Sequence, residues 1–281
     1  MITGYSNTIS VTTLAPSLLL DLYPSAAAAY SVRLLRTAYT GSAIRVRRSS
    51  DNTEQDIGFS SGNLDTSSLT TFCSGTNGFV TTWYDQSGNA NNATQSTAAN
   101  QPQIVSSGAI INVNSKPCLQ FDGSNDIMKF IGSGTSSSNT LFVLSKSNNN
   151  SASYQTITSI GSITPATAFA YLYYGAGGND ARVVYSDVLK SFDGARTLVQ
   201  ELVTINAVST TISMLVNNSS VSLTNDTRVL TTNLNDVQIG SDTQYNDPFN
   251  GSIQEVVLYT TAQTSNISGI NTNINTYYAI Y

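Results

Sequence analysis

Carboxylates are the main reactive groups this sequence offers. Its 281 residues include 17 Asp and Glu, 12 Lys and Arg, and no histidine. Imidazole acid–base chemistry, Ser-His-Asp catalysis and His-ligated metals are therefore excluded. Cys73 and Cys118 alone cannot build a structural zinc site or an iron–sulfur cluster. In a chain of this size two cysteines are more often free thiols unless the setting is oxidising. The chemistry left is acid–base or nucleophilic work by Asp and Glu, oxygen ligation of a hard cation, and sugar recognition. Asp122 and Asp126, with Asn125, Asp242 and Asp247, present the oxygen donors that Ca²⁺ takes. The same aspartates also suit turns, where the side chain holds its own backbone. Trp83, Tyr84 and Asp85 place aromatic faces beside a fixed polar group, as carbohydrate binding requires. They read equally as a strand end entering a tight turn. Arg45, Arg47 and Arg48 with Asp51 and Asp56 are an anion site or a solvated strand face whose ion pairs contribute little.

The elements that must position these groups are short strands. Charged residues make up only 10% of the chain, 15 Tyr and 9 Phe are present, and Ser, Thr and Asn cover the remainder. That is a β-rich composition with neutral surfaces, unlike the charge-rich, aromatic-poor composition of disordered chains. Strands are expected at 44–47, 79–84, 119–121, 140–144, 168–174, 182–185, 198–205, 211–216, 220–223, 237–240 and 252–259, with the turn Asn217-Asn218 closing a hairpin. Many short strands with Gly/Asn/Asp/Ser punctuation and no alternating helices predict an all-β antiparallel sandwich. One helix is expected, over Ala26 to Leu35, with Ser25 as its cap. Residues 1–24 read as an extended arm whose Leu18 to Leu20 pack onto the sandwich of residues 25–281, and whose first 14 residues meet another chain. No apolar run approaches the ~18 residues of a membrane span, and the start lacks the basic region of a secretory signal. A net charge of −5 argues against a grip on nucleic acid.

Two stretches resemble known families. DVQIGSDTQYNDPFNGSIQEVVLYTTAQTSNISGINTNI, with the earlier Asp122-Gly123-Ser124-Asn125-Asp126, resembles laminin-G-like, concanavalin A-like lectin/glucanase domains. AYSVRLLRTAYTGSAIRVRRSSDNTEQDIGF, LDTSSLTTFC and VTTWYDQSGNANNATQ are similar to the N-terminal half of family-54 α-L-arabinofuranosidase catalytic domains, most closely at Tyr84-Asp85-Gln86-Ser87-Gly88-Asn89. The same block is similar to sandwich domains of tailed-phage proteins, which share its Ser/Thr/Asn surface.

These resemblances imply a concanavalin A-like jelly roll. The arabinofuranosidase resemblance implies an acid/base Asp after a Gly-Gly pair, for which Asp242 in Gly240-Ser241-Asp242 is the nearest match. It also implies a nucleophilic Glu between about residues 150 and 180, where this chain has none; its three Glu are Glu54, Glu201 and Glu255. Asn92 stands where that family often has His, and the partner expected for Cys73 falls near Gly78. On this reading the fold is inherited without its catalytic pair. The expectation is a structural surface protein of a tailed-phage virion, a capsid decoration or a head or tail fibre, held to virion proteins by its arm. It is expected to homo-oligomerise, to bind host-surface glycans weakly, to insert in no membrane and to need no cofactor beyond Ca²⁺. The alternative is a secreted, extracellular glycoside hydrolase of the arabinofuranosidase type, which requires a second carboxyl group near Asp242.

Overall fold

A computed structural model describes residues 17–148, 154–161, 169–174, 180–185, 188–192, 198–208, 211–221, 232–242 and 247–281. The first 14 residues of the expected arm lie outside the described residues. Antiparallel strands dominate, as the alternation of apolar and polar residues requires, and they stack as a two-layer sandwich.

The first layer is built around Asn250–Tyr259. One of its edges pairs with Leu119–Asp122 and, further along, with Ala28–Ser31; the other pairs with Ser138–Ser147. Gln200–Val208, Thr211–Val216 and Ser219–Val221 extend this layer. The second layer runs Glu54–Ile57, Ile44–Arg48, Gly78–Trp83, Ala93–Thr94, Met128–Phe130, Val237–Ile239, Tyr154–Ile160, Phe169–Tyr174, Asp180–Tyr185, Val188–Phe192. Gln103–Ser106 pairs with strands of both layers. The layers meet through apolar and aromatic side chains. Tyr30 of the first packs 5.7 Å from Trp83 and 6.0 Å from Phe130 of the second, ring centre to ring centre.

The helix expected over Ala26 to Leu35 is a strand instead. Ser25 takes a positive φ of 70°, and Ala28–Ser31 pairs with the Glu255-to-Leu258 stretch. The reason is competition for its backbone. Ala29 N–H donates to the Asp85 carboxylate, Leu35 N–H to Gln86 Oε1, and Gln86 Nε2 to the carbonyls of Ser31 and Arg33. Tertiary partners outweigh the modest helix propensity of four alanines.

Helices form elsewhere. Leu19–Leu22 lays Leu19 and Leu20 into the core. Thr66–Phe72 is capped by Asp65, whose carboxylate accepts from Ser68 N. Ile267–Tyr278 buries Ile267, Ile270, Ile274 and Tyr278, a helical spacing hidden among Asn and Thr.

A buried ion pair ties this last helix to the sandwich. Arg33 meets Glu255 in a two-point contact of 2.8 and 2.9 Å, and its remaining arm donates to Asn273. Ser31 Oγ donates to the same carboxylate at 2.7 Å, and the guanidinium lies over the rings of Tyr277 and Tyr278. Burial opposes the Arg33 charge, but Glu255 more than offsets it, so the pKa of Arg33 is raised.

Candidate functional site

The acidic groups of interest gather at one end of the sandwich, on the loop that joins Val237–Ile239 to Asn250–Tyr259. That loop is drawn closed at its neck. Gly240 N donates to Ile157 O, Phe249 N to Gly240 O, Thr156 N to Asp247 O, and Asn250 N to Gln155 Oε1. Gly240 has φ +89°, and a Cβ on it would stand 2.1 Å from the Phe121 ring, so both backbone and packing require glycine. Tyr154–Ile160 contributes a bulge between Thr156 and Thr158, the kind of irregularity that redirects side chains beside functional sites.

Asp242 is 2% exposed on this loop. Asp247 lies close enough to feel its charge. Burial first, and Asp242 second, push the Asp247 carboxyl up to about 6. The carboxyl that results keeps its proton to a higher pH than an exposed aspartate does, and gives it up near neutrality. Thr156, whose backbone is bonded to Asp247, has a fully buried hydroxyl with no partner among the described residues.

The other expected site residues have different surroundings. Trp83 is completely buried against Tyr30, so no face of its ring is open to a sugar. Tyr84 is half-buried and donates its hydroxyl to Asp56. Asp85 is saturated by backbone and neighbours, accepting from Ala29 N, Ser87 N, Ser87 Oγ and Asn91 N. The Tyr84-to-Asn89 segment therefore stitches strands together. Arg45 meets Glu54 and Asp56 on the surface, and Arg48 meets Asp51.

Asp122 and Asp126 close a turn beside Asn250. Asp126 Oδ2 accepts from Asp122 N at 2.9 Å, and Asp122 Oδ1 accepts from Ser124 N and Asn125 N. No group of three or more Asp, Glu or Cys is arranged to hold a metal ion among the described residues. Cys73 and Cys118 are buried and unpaired.

Burial, and then Asp122, push the Asp126 carboxyl up to about 7. A carboxyl whose pKa rises on folding binds its proton more tightly in the folded state. Its contribution to stability is full below the unfolded value near 3.8 and is lost as pH rises to about 7. Asp126→Asn retains an acceptor for Asp122 N and has no charge to bury. It is expected to raise the thermal midpoint over wild type at pH 8 and to give no gain at pH 3.5. An equal gain at both pH values in paired melts would show that ionisation is not the cause.

A cleft of about 710 Å³ lies elsewhere, between the Leu19–Leu22 and Ile267–Tyr278 helices and the turn at Ser61 to Asn63. Its polar groups are already engaged: Arg33 on Glu255 and Asn273, and the Tyr277 hydroxyl on Asn63.

The N-terminal half of the chain and its fold have counterparts among known proteins. The family model of the α-L-arabinofuranosidase B catalytic domain matches residues 21–171. A probable α-L-arabinofuranosidase B of Aspergillus flavus is 40% identical over 74 residues, covering 26% of this chain and 15% of that protein. A Glu-to-Gln mutant of a family-54 α-L-arabinofuranosidase, soaked with 4-nitrophenyl α-L-arabinofuranoside, superposes with a TM-score of 0.75 at 18% identity. That match covers 93% of this chain and 65% of the other. An arabinofuranosidase complexed with arabinofuranosyl-α-1,2-xylobiose gives a TM-score of 0.71 at 19% identity, over 93% and 64%. The chain thus spans about two-thirds of these structures and a small part of the curated relative.

These matches correct the expectation of a tailed-phage, concanavalin A-like lectin domain and the virion, capsid and fibre role that went with it. The N-terminal block specifies the arabinofuranosidase family, whereas a Ser/Thr/Asn-rich surface is a compositional trait that unrelated sandwiches share.

Proposed function

The chain belongs to the family of α-L-arabinofuranosidase B catalytic domains, and we propose that it is a glycoside hydrolase domain that releases arabinofuranosyl residues from glycans. The observation that carries the proposal is the family match over residues 21–171, joined to two neighbouring aspartates, Asp242 and Asp247, in the loop beyond it. Glycoside hydrolysis needs one carboxyl group to donate a proton to the glycosidic oxygen as its bond to the anomeric carbon breaks. It needs a second, ionised, to face the cationic sugar or to activate what attacks it. Asp242 occupies the acid/base position that the sequence resemblance implies. Asp247 is the second carboxyl beside it, and burial first and the Asp242 charge second raise the pH at which Asp247 ionises.

The finer description of the sandwich as a concanavalin A-like jelly roll belongs to the same proposal. It is supported by the central place of the late strand Asn250–Tyr259 between chain-early Ala28–Ser31 and Leu119–Asp122 on one edge and Ser138–Ser147 on the other.

The direct test is release of 4-nitrophenol from 4-nitrophenyl α-L-arabinofuranoside by the purified chain, followed from pH 3 to 9. Activity is expected to rise as pH rises through about 6, where the Asp247 carboxyl ionises. Asp247→Asn is expected to remove or displace that limb. Absence of arabinoside cleavage by the wild-type chain at every pH would overturn the proposal.

A further inference from the structure

A second cleft opens on the outer face of the layer that carries the acid loop. It is about 530 Å³ in volume, within the range of small-ligand sites, and is lined by Asn92, Thr94, Lys129, Ile131, Asn235 and Asp236, with Phe130 at its base.

Its floor is set by strand register. Thr94 is the partner of Lys129, Lys129 of Gln238, and Gln238 of Ser159. Directly paired residues project to the same face, so these four form one polar row across four strands. Met128 and Phe130, on either side of Lys129, are buried, which puts the row on the face away from the core. The row begins in the open cleft and ends under cover. Gln238 is 3% exposed, and Ser159, at 1%, has a hydroxyl with no partner among the described residues. Three residues before Ser159 is Thr156, bonded through its backbone to Asp247. Four residues beyond Gln238 is Asp242, at most roughly 13 Å away at ~3.3 Å per residue. The cleft therefore lies within a few sugar units of the acid pair.

Its chemistry is that of a neutral polyhydroxyl ligand. Lys129 forms no ion pair within 4 Å among the described residues, so its ammonium is available as a donor. Asp236 faces the same cleft and receives one hydrogen bond from Gln238 Nε2 at 2.8 Å, leaving acceptor capacity on its other oxygen. The two charges cancel locally, which disfavours an anionic ligand. Ile131 is 83% exposed and gives an apolar ledge among the polar groups. Alternating donors, acceptors and a small apolar ledge match the hydroxyls and C–H faces of a sugar.

We infer that this cleft is an accessory subsite for a neutral, linear oligosaccharide, which holds the polymer while its arabinofuranosyl branch reaches Asp242 and Asp247. The inference rests on the hydrolase reading for its purpose and on the cleft for its chemistry, and the two are separable by experiment. The probe is xylohexaose, titrated into the full ¹⁵N-labelled chain with amide shifts recorded. Shifts are expected to cluster at Asn92, Thr94, Lys129 and Ile131. Lys129→Ala, checked for an unchanged melting temperature, is expected to weaken binding at least fivefold, and Ile131→Ser to weaken it independently. Undetectable binding, shifts confined to the 240–247 loop, or full affinity in both variants would overturn the inference. Tighter binding of an oligogalacturonate than of xylohexaose would overturn its neutral specificity. Binding at the cleft without cleavage of the aryl arabinoside would overturn the hydrolase reading and leave the subsite standing.

Discussion

Asp242→Asn is expected to lower kcat/KM on 4-nitrophenyl α-L-arabinofuranoside by at least about 1,000-fold, since general acid–base groups contribute typically 10²–10⁴-fold. The substitution preserves size and hydrogen-bonding reach but can neither hold a transferable proton nor carry charge. Structural collapse is not the expected cause, because a neutral amide in a 2% exposed position relieves the charge that Asp242 imposes on Asp247. The Asp247 carboxyl, freed of that charge, is expected to titrate below its present value of about 6. Two measurements therefore move together: turnover falls, and the Asp247 carboxyl carbon, followed by NMR, titrates at lower pH. Loss of turnover with an unchanged Asp247 titration would separate the two groups and dissolve the pair. Retained turnover would remove Asp242 from the chemistry altogether.

The largest effect on stability is expected at Arg33. Arg33 is 5% exposed, and every arm of its guanidinium is engaged, two on Glu255 and one on Asn273. Arg33→Ala strands a carboxylate that is 1% exposed inside the sandwich. Breaking a buried pair by removing one partner costs about 3–5 kcal/mol, because the surviving charge is left without compensation. The cost also includes packing, since the guanidinium covers the faces of Tyr277 and Tyr278. The double variant Arg33→Met with Glu255→Leu removes both charges and fills similar volume, so it is expected to recover at least half of the loss in urea unfolding. If the double variant is no more stable than the single one, the stranded charge is not the source of the cost.

How much of this was legible in the sequence depends on whether the deciding contacts were local. Strands with a two-residue period were readable: Ile44–Arg48, Thr211–Val216 with its Asn217-Asn218 turn, and Asn250–Tyr259 all lie where alternation or a β-branched run puts them. Ala26 to Leu35 was misread because its fate is decided by Asp85 and Gln86, more than fifty residues away. The Ile267–Tyr278 helix carried a visible signal in Ile267, Ile270, Ile274 and Tyr278, masked by weak helix formers between them.

The site divides the same way. Asp242 is proposed on the motif around Gly240 alone, and Asp247 reads in the sequence only as an oxygen donor, since nothing in a sequence says that two loop carboxyls feel each other. The Trp83-Tyr84-Asp85 group looked like a binding platform because aromatic and acidic residues are shared by sugar sites and by strand ends. Burial, which distinguishes them, is a property of the folded molecule. The phage reading leaned on surface composition, the least specific signal in the chain.

The position of Asn250–Tyr259 has a consequence for how the molecule is made. Its edges are taken by Ala28–Ser31, Leu119–Asp122 and Ser138–Ser147, all synthesised at least a hundred residues earlier. On a translating ribosome those three strands emerge with the edges that Asn250–Tyr259 will occupy still open, and these must wait for a partner that is not yet translated. Pairings between residues so distant in sequence form late and slowly. The nascent chain is thus exposed, through most of its synthesis, to the hazard of open strand edges. Its sparsely charged, hydroxyl- and amide-rich exterior supplies few of the charges that usually guard such edges. A helper that shields nascent strands, or slow translation before residue 250, would be felt in the yield of soluble protein, and little in the stability of the finished molecule.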